Sequence, residues 1–145
     1  MGVKTRFLII SDTHAGSFSA NRDLKPDVLI HCGGLTDGSK IAEYRRILRL
    51  LQGVDAPLTL VIAGNHDFTL DTSTFRRMVQ ETPEPLDPHL VIKEYGRYGQ
   101  AKALFDKTDR INLLNEGTYS FNLSNVHFSA ILDPGTISPS GKMST

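Results

Sequence analysis

Short apolar runs alternate with polar bursts along this chain, and the period of each run indicates its element. Phe7-Leu8-Ile9-Ile10 is an unbroken apolar run that stops at Ser11-Asp12-Thr13-His14. Such a run reads as a strand buried on both faces. Asp27 to Cys32 and Pro57 to Ala63 repeat the pattern, and they end in Gly33-Gly34-Leu35-Thr36-Asp37-Gly38 and Gly64-Asn65-His66-Asp67. Between them, Ile41, Tyr44, Ile47, Leu48 and Leu51 recur at helical spacing, with Glu43, Arg45, Arg46 and Arg49 on other faces. The spacing predicts a helix over 39–52, capped by Ser39 and stopped by Gly53. Strand, helix, strand in this order predicts a right-handed crossover and a parallel pair.

Further along, a helix is expected over 72–81. Pro83, Pro85 and Pro88 then interrupt regular structure. A helix over 94–107 and a strand over 111–114 follow. Tyr119, Phe121 and Leu123 alternate with polar residues, as do Val126, Phe128 and Ala130, and Ser124-Asn125 lies between as a two-residue turn. That is the pattern of a β-hairpin over 117–132. The fold class is therefore α/β: a mainly parallel sheet with strands near 6–10, 27–32, 57–63 and 111–114, flanked by helices and continued by a C-terminal β-hairpin. One domain over 1–135 is expected, with 136–145 as a frayed tail, because that stretch carries no apolar period.

Composition narrows the function classes. Lys+Arg and Asp+Glu are both 16 in 145 residues, and no basic block marks a nucleic-acid surface. The single cysteine, Cys32, excludes an internal disulfide and is expected to be buried as a small hydrophobe. The N-terminal run is too short for a signal sequence core or a membrane span, so an intracellular, cytoplasmic protein with no membrane partner is expected.

The chemistry sits where strands end. Open α/β sheets bind ligands beyond the carboxyl ends of their strands. Asp12 and His14, Gly33 and Gly34, and Asn65 and His66 should therefore open onto one rim. A carboxylate and an imidazole two residues apart can face one metal ion there. His31, inside its strand, is expected to be a packed or hydrogen-bonded structural histidine. His89 after Pro88 in a loop, and His127 on the polar face of the hairpin, are expected to be surface residues.

Ile10-Ser11-Asp12-Thr13-His14, then His31-Cys32-Gly33-Gly34-Leu35-Thr36, then Val61-Ile62-Ala63-Gly64-Asn65-His66-Asp67 resemble the calcineurin-like metallophosphoesterases. The resemblance runs from about Arg6 to Leu132 and covers the N-terminal part of the family domain. It implies a metal-dependent phosphomonoester or phosphodiester hydrolase, in which two divalent ions (Mn²⁺, Zn²⁺ or Fe) activate water and neutralise phosphoryl oxygens. By resemblance, Asp12 and His14 would ligate one metal and Asn65 the other. His66 would serve in proton transfer, with Asp67 orienting it through a hydrogen bond.

Two departures stand against full activity. The family strand ends in Gly-Asp, whose Asp bridges the metals, but here the position is Gly34. The family also continues past the hairpin with strands carrying a histidine and a Gly-His-x-His motif, which this sequence does not contain. Asp37 could swing in as a substitute carboxylate, and its plainer reading is a turn residue before the helix. A weak or lost dinuclear activity is therefore expected, with a metal weakly bound or absent. Alternative readings are a non-catalytic binding or regulatory protein and a non-functional fragment. A small phosphoester substrate is one possible partner. The hairpin row Tyr119, Phe121, Leu123, Val126, Phe128 and Ala130, uncovered unless the chain's own helices reach it, suggests a homodimer or protein partner there.

Overall fold

The computed structural model describes residues 2–18, 23–123, 126–132 and Met143. Strands β1 (Phe7–Ile10), β2 (Val28–His31), β3 (Leu58–Ile62) and β4 (Ile111–Leu114) form one sheet in the order β1-β2-β3-β4. Every pairing in it is parallel. Parallel pairing in sequence order sends all four carboxyl ends to the same side, which brings the three polar bursts to one rim.

The sheet's two faces are covered differently. Leu29, Val61 and Ile111 pack against Ile41, Tyr44, Ile47 and Leu51 of α1 (Ile41–Gln52) and Phe105 of α4 (Gln100–Asp106). Each large apolar side chain buried there contributes about 1.5–3 kcal/mol. The hairpin does not continue the sheet, as the sequence suggested. Strands β5 (Gly117–Leu123) and β6 (Val126–Leu132) pair only with each other. Their apolar row, with Tyr119, Phe121 and Phe128, packs on Val28, Leu60 and Leu114 of the opposite sheet face. The row expected to lie bare therefore forms the second layer of a sandwich. The expected turn at Ser124-Asn125 lies outside the described residues.

Strand β1 is among the places where large apolar side chains are exposed. As the edge strand it leaves Phe7 and Ile9 49% and 64% exposed, so it is not buried on both faces as its unbroken run suggested. Burial on both faces belongs to the inner strands, β2 and β3.

Helix boundaries differ from expectation for local reasons. Lys40, not Ser39, occupies the cap position of α1, and the Glu43 carboxylate accepts the Asp37, Gly38 and Lys40 N–H groups. Gly53 closes that helix in a right-handed conformation, with φ −70°. Asp71 caps α2 (Thr72–Gln80) by accepting from Ser73 and Thr74. Pro88 does not interrupt structure. It opens α3 (Pro88–Tyr95), where its missing N–H costs nothing, and Asp87 caps it. His89 therefore lies on a helix. The expected helix over 94–107 is split because Gly96 and Gly99 adopt φ of +81° and +80°. Phe68, Phe75, Val91 and Tyr95 form a second apolar cluster, and Met143 packs into it. The rest of the expected frayed tail, 136–145, lies outside the described residues. No helix among the described residues is long and apolar enough to cross a membrane.

Candidate functional site

The rim is built from three loops. The first, after β1, runs beside the second, after β2: Asp12 N–H donates to Gly33 O at 2.9 Å, His14 to Gly34 O at 2.9 Å and Ala15 to Leu35 O at 2.7 Å. Following that path requires left-handed backbone at Asp12, His14 and Ala15, with φ of 52°, 46° and 54°. Non-glycine residues rarely adopt this conformation, and strain of this kind concentrates at functional loops.

The second and third loops are joined by Asp67. Asp67 is 2% exposed. Oδ1 accepts from Thr36 N–H at 2.9 Å and Thr36 Oγ1 at 2.7 Å, and Oδ2 from Leu35 N–H at 3.1 Å and Gly64 N–H at 2.8 Å. The resemblance implied a bond from Asp67 to His66; the His66 ring bonds through Nδ1 to the Asp37 carbonyl at 2.8 Å. Below this lies a run of hydroxyls. Thr36 Oγ1 accepts from Ser39 N–H, and Ser39 Oγ bonds to Tyr44 Oη and Thr69 Oγ1. Burial, reinforced by the Asp67 charge, pushes the Tyr44 phenol well above its ordinary range, so it stays a neutral donor.

Two imidazoles stand over this frame. His14 Nδ1 lies 3.1 Å from the Thr36 carbonyl and 3.8 Å from Asp37 Oδ1. The His14 and His66 ring centroids are 5.4 Å apart, edge to face. Carbonyl oxygens only accept, so in each neutral ring Nδ1 carries the proton and Nε2 is the basic nitrogen. One loop, through the carbonyls of Thr36 and Asp37, thus sets the tautomer of both histidines. Asp12, His14 and Asn65 are solvent-exposed, and His66 is half-buried.

His31 lies beneath the first loop, fully buried, with Nε2 2.9 Å from Thr13 Oγ1. Its Nδ1 is a buried side-chain atom with no partner among the described residues. Burial lowers its pKa, opposed more weakly by the Asp67 and Asp12 charges. Cys32 is exposed, not buried as expected, because it follows the last residue of β2. His127 is exposed and bonds Asn122 across the hairpin at 2.7 Å.

A two-metal centre does not fit these residues. No group of three or more His, Cys, Asp or Glu side chains among the described residues is placed to hold a metal. Gly34, where the bridging carboxylate would stand, has φ of +67°, and a Cβ there would lie 2.8 Å from Asp12 Cα and 2.6 Å from Asp12 Oδ1. The first loop occupies the space that a side chain at 34 would need.

The fold is consistent with an α/β metallophosphoesterase-like domain, and comparison with known proteins agrees. The family model for calcineurin-like phosphoesterases matches residues 5–133. The chain belongs to that family. It is 31% identical over 77 residues to metallophosphoesterase domain-containing protein 1 of Homo sapiens, and equally to the protein of that name from Mus musculus. The matched stretch takes 53% of this chain and spans 23% of each curated relative.

The sequence pointed to Asp12, His14, Asn65, His66 and Asp67, and missed Thr36, Ser39, Thr69 and the Asp37 carbonyl. The last four act through contacts some 30 residues distant in the chain, for which no local spacing gives a signal. Gly-Gly-Leu-Thr before a helix was the one available hint.

Proposed function

We propose that this chain is a metallophosphoesterase-family protein in which two-metal phosphoester hydrolysis is lost and the strand-end rim serves as a weak binding surface for a phosphoester. The supporting observation is the close approach of Asp12 to Gly34, which leaves no room for the side chain that a bridging carboxylate there would need. Buried charge needs compensation, and two dications facing Asp12 as the one acidic member of the proposed ligand set would lack it. The paired imidazoles of His14 and His66 are the rim's side chains for meeting a phosphoryl group, opposed by the charges of Asp12 and Asp37.

The test is hydrolysis of a chromogenic phosphodiester with added Mn²⁺, alongside metal analysis of the purified chain. The expected result is substoichiometric metal and no turnover above that of His66→Ala. Turnover that rises with bound metal and disappears in His66→Ala would replace this reading with a single-metal hydrolase on Asp12, His14 and Asn65. The exposure of those three residues on one rim is what favours that second reading.

A further inference from the structure

A groove of about 520 Å³ opens between α2, α3 and the turn that follows α3. Its described lining includes Phe75, Val79, Leu86, Val91, Ile92 and Tyr98, with Arg97 as the one charged member, and none of the rim residues. Its volume falls within the roughly 300–1,000 Å³ of small-molecule sites. Phe75 and Val91 are buried, and they belong to the cluster into which Met143 packs. Ile92 and Tyr98 remain 47% and 46% exposed at its mouth.

The groove is electrically one-sided. The Arg97 guanidinium has no ion pair among the described residues. The Arg76 guanidinium carbon stands 5.1 Å from the centroid of the Tyr98 ring. Arg97 is thus the one cation in the described lining, and Arg76 stacks on Tyr98 from outside it. A peptide laid in this groove would bring a backbone N–H and C=O at every residue, and the lining offers almost nothing to pair with them. An alkyl chain brings no such groups. A carboxylate fits the fork of one guanidinium with two parallel hydrogen bonds.

We propose that this groove binds a single-chain alkyl carboxylate, its tail over Phe75, Val79, Val91 and Ile92 and its head on Arg97. The site is separate from the rim, and its occupancy does not depend on phosphoester chemistry.

Calorimetric titration of the full chain with decanoate, decanol and acetate tests this. Decanoate should saturate one site per chain below its micelle concentration, decanol should bind about tenfold more weakly, a difference of about 1.4 kcal/mol, and acetate should show no saturable binding. Arg97→Gln should bring decanoate down to the affinity of decanol. Ile92→Glu should remove both while leaving the circular dichroism spectrum unchanged. If Ile92→Glu fails to fold, the exposed Arg97→Gln variant decides alone. Equal affinity for decanoate and decanol, no effect of Arg97→Gln, or no saturable decanoate binding would each overturn the proposal.

Discussion

The buried polar frame under the rim and the exposed side chains on top of it have fared differently. The frame is complete: all four donors to Asp67 are in place, and Thr36, Ser39, Tyr44 and Thr69 satisfy one another. The upper set is incomplete, with Gly34 where a carboxylate would bridge two metals and Asp12 folded onto it. A buried carboxylate without its donors destabilises the whole domain, so the frame is held in place by folding. An exposed ligand can be lost at almost no cost to stability. On the proposed reading, this chain keeps what folding requires, and Gly34 leaves it without the carboxylate that the resemblance places between two metals.

The largest effect should come from the frame. Asp67→Ala leaves the N–H groups of Leu35, Thr36 and Gly64 and the Thr36 hydroxyl without their acceptor. Each unsatisfied buried group costs about 1–3 kcal/mol, so a loss of at least about 3 kcal/mol is expected after relaxation. For a domain of this size that lowers the melting temperature by roughly 10 °C. A change of only a degree or two would show that the frame is wet and that the contrast is false.

Gly34 lies where frame and upper set meet. An L-residue held at left-handed φ costs about 1–2 kcal/mol, before the approach to Asp12 is counted. Gly34→Ala and Gly34→Asp should therefore both lower stability by about that amount or more, and Gly34→Asp should not gain stoichiometric Mn²⁺ on dialysis. Tight Mn²⁺ binding in Gly34→Asp alone would mean that the first loop opens readily and that the rim is one substitution away from a metal site.

The contrast also explains what the sequence made legible. The parallel strands and their common rim follow from local apolar runs, so Asp12, His14, Asn65 and His66 could be placed from the pattern alone. The role of Asp67 could not, because its donors lie across space at 35, 36 and 64. Alternation along Tyr119–Ala130 identified a hairpin with one apolar face, but not that the free face of the parallel sheet would cover it. Pro88 reads as a break in either direction along the chain, and only the Asp87 cap shows that it begins a helix. Gly96 and Gly99 are tolerable inside a helix by propensity, and no local spacing signals their positive φ.

His31 provides a smaller effect with a definite sign. Its folded pKa is lowered by burial, so below its ordinary value of 6.5 the unfolded chain binds a proton that the folded chain refuses. Stability is therefore full above pH 6.5 and falls as the pH drops from there toward the lowered folded pKa, by up to about 1.4 kcal/mol per unit of separation. His31→Gln should flatten that acid slope in melts taken between pH 7 and pH 5. An unchanged slope would assign it to the carboxylates.

The smallest effect is expected at Asp12, and it tests the upper set most directly. Asp12→Asn removes the charge and keeps a residue type that accepts left-handed backbone, so no strain is added. The side chain is exposed, and the change in stability should stay within about 0.5 kcal/mol. Any ion held by the folded rim and not by the unfolded chain would raise the melting temperature in proportion to the logarithm of its excess over Kd. Wild type and Asp12→Asn should therefore melt together with and without excess Mn²⁺, because neither builds a closed set of ligands. A rise of several degrees in wild type that Asp12→Asn abolishes would show that Asp12 holds an ion after all, and that the exposed half of the rim is a working site and not a remnant.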